Sequence, residues 1–260
     1  MASKYQTLNN KVRRVLLVIG AFFVTNALLA ELIGVKLFSV EHTLGLNSLN
    51  WNILGYHLSF DLTAGVILWP FVFVLTDIAN EYFGKKGVRL LSYLVVGMIS
   101  YSFLMILLAV YVSPSSFWVL RDMPDGSKLN MDEAFNAIFG QSGWIIVGSI
   151  TAFLVGQLVD VWVFHQLRKR TGHGKIWLRA TGSTLVSQLI DSFVVLFVAF
   201  YIGGPHWPLM QVLAIALNNY IFKFMAAIAM TPMVYLFHNM IDKYLGVKLS
   251  KKLMDSAAKQ

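Results

Sequence analysis

The chain contains no cysteine, which removes disulfides, thiolate metal sites and cysteine nucleophiles. Charge is scarce: Asp, Glu, Lys and Arg make up 13% of the 260 residues, against about 25% in soluble domains. Catalytic signatures are missing too. There is no HExxH to hold zinc, no GxSxG nucleophile elbow and no GxxxxGK[ST] phosphate loop. The histidines form no ligand-spaced cluster: His165 and His173 sit in or beside one basic segment and His238 near another. The chain is therefore not expected to be an enzyme, and no metal or cofactor is expected. No long linker, low-complexity tract or second domain interrupts it.

What is present in quantity is apolar surface, 57% of residues with a mean hydropathy of +0.65. Six runs are long enough for a bilayer, which needs about 20 residues. They lie near 15–38, 60–83, 88–112, 142–167, 177–202 and 208–240. This predicts an all-α membrane protein with a single six-helix domain. Pro70 and Pro232 are candidate break points in the second and sixth runs. The first run follows Lys11-Val-Arg13-Arg14 like a signal peptide but continues past the usual apolar core of one, so it is read as a retained span.

The basic residues orient these spans. One set of connecting segments carries Lys4, Lys11, Arg13, Arg14, Lys85, Lys86, Arg89, Arg168, Lys169, Arg170, Lys175, Arg179, Lys243, Lys248, Lys251, Lys252 and Lys259. That is 17 of the 21 basic residues; the opposite loops hold Arg121 and Lys128, and the spans Lys36 and Lys223. By the positive-inside rule, both termini are cytoplasmic. The loop 41–59, with Trp51, Tyr56 and His57, is expected at the outer interface. Asp132-Glu133-Ala134-Phe135 is expected to open a short surface helix, and the polar tail 248–260 to fray.

Polar groups within the spans cost roughly 2.5–3.5 kcal/mol each when ionisable, so they mark candidate function. They are Asn26, Glu31 and Lys36; Asp77, Asn80 and Glu81; Gln157 and Asp160; Gln188 and Asp191; Asn218, Asn219 and Lys223. Residues three or four apart share a helix face, which stacks Gln157 on Asp160, Gln188 on Asp191, and Asn219 on Lys223. At 1.5 Å rise per residue, Asn26, Asp191 and Lys223 fall near mid-membrane, with Asp77 and Asp160 nearer the cytoplasm. Two structural readings stand beside this one. Asp191 and Lys223 could simply neutralise each other, and Asp77 and Glu81 could pair with Lys85, Lys86 and Arg89. One phrase occurs twice, as Gly156-Gln-Leu-Val-Asp160 and Ser187-Gln-Leu-Ile-Asp191.

With these residues in view, the chain resembles the queuosine precursor transporters, the VUT family of vitamin uptake transporters. The resemblance lies in Trp69-Pro-Phe-Val-Phe-Val-Leu-Thr-Asp77 running to Tyr82-Phe-Gly84, and in Gly156 to Phe164 with Leu167-Arg168. It continues through Trp177-Leu-Arg-Ala-Thr-Gly-Ser-Thr-Leu185 and Asp191-Ser192 to Asn219-Tyr-Ile-Phe-Lys223 and Thr231-Pro232. The segment 169–175 makes a longer loop than is usual in the family.

The resemblance implies a multi-pass inner-membrane importer of tRNA-base precursors: 7-cyano-7-deazaguanine, 7-aminomethyl-7-deazaguanine or queuine. It implies a small-molecule deazapurine and membrane lipid as partners, with no direct contact to nucleic acid. The layout is also similar to the substrate-binding subunits of energy-coupling-factor transporters, so an external ATPase module and a homodimer stay open. An intramembrane enzyme is the alternative of another class.

A guanine-like edge presents two donors that a carboxylate can accept together, an O6 acceptor that needs an amide or ammonium, and a flat ring that suits an aromatic face. The expected substrate contacts are Asp191, Gln188, Asn219, Lys223 and Asn26, with Gln157, Asp160 and Asp77 on the inner part of the route. Phe193, Tyr220 and Trp162 are the stacking candidates.

Overall fold

The computed structural model describes residues 2–140, 143–171, 175–203 and 206–260, with side chains from residue 10 on. Ser142, His173 and the side chain of Lys4 lie outside the described residues. Among the described residues, five helices are long and apolar enough to cross a membrane. Their outward faces are apolar, with Leu17, Phe22, Tyr93, Leu104 and Trp162 all more than half exposed. In water such a surface would aggregate; in a bilayer it is solvated.

Helix α1 spans Ala2–Ile33, so it stops short of the expected 38. Beyond it, strand β1 (Leu37–Ser39) pairs antiparallel with β4 (Asp61–Thr63), and the N–H of Ala64 donates to the Lys36 carbonyl at 2.8 Å. Lys36 therefore lies in an extended segment, not in a span. Between these strands, helix α2 (Val40–Thr43) and a hairpin of β2 (Trp51–Ile53) and β3 (Tyr56–Leu58) form a compact cap. Buried Glu41 holds it together by accepting the Phe60 N–H at 2.9 Å and the Ser39 hydroxyl at 3.3 Å. Phe60 packs edge-on against Trp51 and tilted against Phe222.

A 3-10 turn (Ala64–Ile67) leads into helix α3, Trp69–Tyr111. The second run was expected to start at 60; the pairing of β1 with β4 takes those residues instead. Pro70 sits in the first turn of α3, where its missing N–H costs nothing, so it starts the helix rather than kinking it. A straight helix of 43 residues would reach about 65 Å, twice the thickness of a bilayer core.

It is not straight. Gly84 has φ 65° and ψ −165°, a region open essentially only to glycine, and the chain reverses there. A Cβ on Gly65 would strike the Ala30 carbonyl, while Leu28, Glu31 and Leu32 border Ile99, Ser102 and Phe103. Both ends of α3 thus lie beside the same end of α1.

The next loop carries helix α4 (Ser116–Val119), a ribbon of β5 (Leu120–Asp122) with β6 (Lys128–Asn130), and helix α5 (Met131–Phe139). Asn130 caps α5 by accepting the N–H groups of Asp132 and Glu133, so the surface helix starts at the expected acidic pair. Strands thus occur, but only in connecting segments. Helix α6 (Gly143–Thr171) packs along α7 (Ile176–Leu196), which continues through a π-helical turn to Ile202. The sixth run divides at Met230 into α8 (Leu209–Ala229) and α9 (Thr231–Leu245), with Pro232 in the first turn of α9.

The polar tail does not fray. It forms helix α10 (Val247–Ala258), which packs on α3 and α9. There the Met254 carbonyl accepts Arg168 Nη2 at 2.7 Å, and the Gln260 amide bridges the Phe83 carbonyl and the Lys86 N–H around Gly84. The tail's backbone and amide groups satisfy the open ends of the α3 turn, and composition alone does not show that. The central core gathers Phe23, Val72, Ile78, Tyr82, Val95, Phe153 and Phe164.

Candidate functional site

Between α3, α7, α8 and α9 lies a cavity whose polar lining is Asp77, Thr181, Thr184, Gln188 and Lys223. Its apolar lining includes Trp69, Phe73, Met230 and Val234. Trp69 and Phe73 are one helical turn apart, with ring centroids 6.1 Å apart and planes at 36°. The space open to the centre of a water-sized sphere is about 30 Å³, enough for about two waters. Small-molecule sites run to roughly 300–1,000 Å³, so a ligand of that size requires the walls to separate. The break at Met230 lies in one of those walls.

Lys223 reaches the cavity with its charge already matched: Nζ donates to Asp191 Oδ2 at 2.6 Å, and both side chains are partly shielded. Asp191 itself is not among the lining residues. Asp77 is buried and accepts the Thr184 hydroxyl at 3.4 Å through Oδ2, while its Oδ1 has no partner. Gln188 is likewise buried with Oε1 unpaired. Buried polar atoms are rarely left unsatisfied, and here two of them, on facing helices, belong to residues of one cavity.

Behind the cavity, Asp160 is fully buried on α6 and accepts Asn80 Nδ2 at 3.2 Å and the Ser187 hydroxyl at 3.4 Å. Gln157, one turn earlier, donates to the Thr76 hydroxyl at 3.3 Å. At the inner end, Glu81 takes a bidentate contact from Arg179, Nε at 2.9 Å and Nη2 at 2.8 Å. Arg168 adds a longer contact at 3.5 Å and donates to the carbonyls of Asn80 and Glu81. Glu81 therefore pairs with arginines from α6 and α7, and not with Lys85, Lys86 or Arg89 of its own turn. Tyr82 donates to Asp242 at 2.6 Å, and Asp242 also takes His238 at 3.0 Å and the Ser250 hydroxyl.

A family model described as "Putative vitamin uptake transporter" matches residues 63–237, from the end of β4 into the first half of α9. The chain belongs to that family. Three curated relatives of the chain support the assignment. It is 32% identical to the "Probable queuosine precursor transporter" of Bacillus subtilis over 70% of this chain and 75% of that one. It is 30% identical to the "Queuosine precursor transporter" of Escherichia coli over 81% of this chain and 89% of that one. Against the Haemophilus influenzae "Probable queuosine precursor transporter" the identity is 26% over 75% and 76%. No solved structure matches the chain. The protein is thus a multi-pass membrane protein of a transporter family.

Within the chain the expected site residues separate. Asp77, Gln188 and Lys223 line one cavity, Asp191 stands behind Lys223, and Gln157 and Asp160 form the adjoining buried layer. Asn26 does not join them; its amide donates to the Phe22 carbonyl of its own helix at 2.8 Å. Asn219 is half-buried and outside the lining, whereas neighbouring Asn218 is buried and tied to Trp51 at 3.0 Å and to the Ser59 carbonyl at 2.9 Å.

The stacking candidates lie elsewhere. Trp162 is 62% exposed on the outer face of α6, Phe193 packs with Leu196, Val212 and Ala216, and Tyr220 meets Phe224 edge-on. Trp69 and Phe73 take the cavity wall instead. Their spacing of four, ahead of Thr76-Asp77 on one helix, is the signal that finds them.

Proposed function

We propose that the chain is an inner-membrane importer of queuosine precursors, the deazaguanines 7-cyano-7-deazaguanine and 7-aminomethyl-7-deazaguanine or queuine. It does so as one six-span domain with both termini in the cytoplasm. The observation that carries this reading is the cavity in which unpaired oxygens of Asp77 and Gln188 stand across from Lys223 beside two aromatic rings. A deazaguanine offers the complementary set. Its N1–H and exocyclic amine donate to a carboxylate, its O6 accepts from an ammonium, and its ring packs on Trp69 and Phe73. In this assignment Asp77, and not Asp191, meets the base edge, while Asp191 aims and neutralises Lys223. The curated relatives' names point to the same solutes.

The topology is supported by the reversal at Gly84, on which α3 would cross the membrane twice, and by the concentration of basic residues in one set of connecting segments. Purified chain in liposomes with labelled 7-cyano-7-deazaguanine and no ATP tests the transport reading. Accumulation of unaltered solute is expected. Uptake only with an added ATPase module would make the chain a binding subunit, and a chemically altered product would make it an enzyme.

A further inference from the structure

Asp77 and Asp160 are two buried carboxylates with no basic partner. They are 4% and 0% exposed, and neither forms an ion pair with any described residue. They come from different helices but converge on one stretch of α7. Thr184 donates to Asp77, Ser187 donates to Asp160, and Ser183 lies beside both. Asn80, one turn along from Asp77, closes the link by donating to Asp160.

The layer also carries spare acceptors. Asp77 Oδ1, Asn80 Oδ1 and Gln157 Oε1 are all buried and unpartnered. Their orientations are not interchangeable with the donor ends. Asn80 must turn its amino group to Asp160, and Thr76 spends its own hydrogen on the Val72 carbonyl, so Gln157 must donate to it. Two buried carboxylates and three unpartnered oxygens in one layer define a cation's place.

We infer that Asp77 and Asp160, with the side-chain oxygens of Asn80 and Gln157, bind one monovalent cation, a proton or a sodium ion, whose entry is coupled to solute import. Intramembrane carboxylates of this kind mark ion and proton pathways. Asp77 is the link between the two functions, since it also lines the solute cavity. Binding of one cation halves the charge of the pair and settles its hydroxyl and amide partners, which sets the wall that the solute meets. The coupling rests on the import reading; the cation site itself does not.

The other charged and titratable neighbours are already engaged. Glu81 on α3 is held by Arg168 of α6 and Arg179 of α7, Lys223 on α8 by Asp191 of α7, and His238 on α9 by Asp242. Glu31 on α1 accepts the Ser149 hydroxyl; His165 on α6 is the exception, packed against Phe164 with its buried Nε2 unpartnered.

The test uses purified full-length chain in detergent, without solute. Its thermal midpoint is measured at alkaline pH in choline chloride and in sodium chloride, then in choline chloride at mildly acidic pH. A ligand that binds only the folded state raises the midpoint by a steady increment per tenfold concentration above its dissociation constant. The wild type should show that increment with sodium if the site holds sodium, or with protons alone if it holds a proton, and Asp160→Asn should lose it. A wild type indifferent to both cations, or an Asp160→Asn variant that keeps the response, would overturn the proposal.

If the variant does not fold, carbodiimide labelling of the wild type decides. Labelling of Asp77 or Asp160 that sodium or alkali suppresses supports the site, and insensitive or absent labelling rejects it. A cation response in a protein that takes up no deazaguanine would leave the site standing and remove the import reading instead.

Discussion

Lys223 and Asp191 illustrate how a single residue's role depends on its partner. Neutralising Asp191 alone leaves a shielded ammonium without its 2.6 Å counter-ion, so Asp191→Asn should abolish solute uptake and lower thermal stability. The double variant Asp191→Asn with Lys223→Gln removes both charges. It should recover stability but not uptake, because the donor to the base is gone; recovered uptake would show the pair to be a tether only. Glu81 poses the opposite case. Breaking a buried pair by removing one partner costs about 3–5 kcal/mol, so Arg179→Ala should sharply lower the unfolding midpoint in detergent. Trp69→Ala should impair uptake at least tenfold, while Trp162→Ala, on the exposed face, should leave it near wild type.

The polar residues were legible in the sequence because lipid makes them costly, and most of the residues singled out do meet in the interior. Their partners were not legible, because rotation about a helix axis decides them. Asn218 and Asn219 differ by about 100° around α8, and only the first turns inward to the outer cap.

At the scale of elements, the repeated phrase acquires a physical meaning. Helices α6 and α7 are antiparallel, and each phrase places its small residue against the other's carboxylate. A Cβ at Gly156 would sit 3.6 Å from Asp191 Cβ, and Ser187 donates to Asp160. Small residues let the two backbones approach, and the spacing of four then sets each Asp opposite the partner's small position. Gly156→Leu should therefore force α6 from α7 and abolish uptake.

Gly84 is the other element-scale determinant. A Cβ there would meet Gln260 Oε1 at 2.8 Å and the Ala257 carbonyl at 3.0 Å, in a backbone conformation closed to other residues. Gly84→Ala should cost about 1–3 kcal/mol, read as a lower thermal midpoint. Apolar run length made the long helices visible in advance. The ends of the first two differ from expectation because short strand pairing claims residues 37–39 and 61–63, and α10 is not legible in advance because contacts far apart in sequence, Arg168 with Met254 and Gln260 with Phe83, help to hold it.

For the whole molecule, the positive-inside pattern and the reversal at Gly84 argue for the same topology from independent grounds, one electrostatic and one geometric. The absence of cysteine makes this simple to check. In intact cells, an impermeant thiol reagent should label a cysteine placed at Lys128 and spare one placed at Lys251. Equal labelling would contradict the proposed arrangement of termini. The central claim, that this chain brings a deazaguanine to the cytoplasm, is tested most directly by queuosine in tRNA. In a strain that cannot synthesise the precursor and has no other importer, expression of this chain with external 7-cyano-7-deazaguanine should restore queuosine to tRNA, and Asp77→Asn should not. No queuosine despite a correctly inserted wild-type chain would contradict the account.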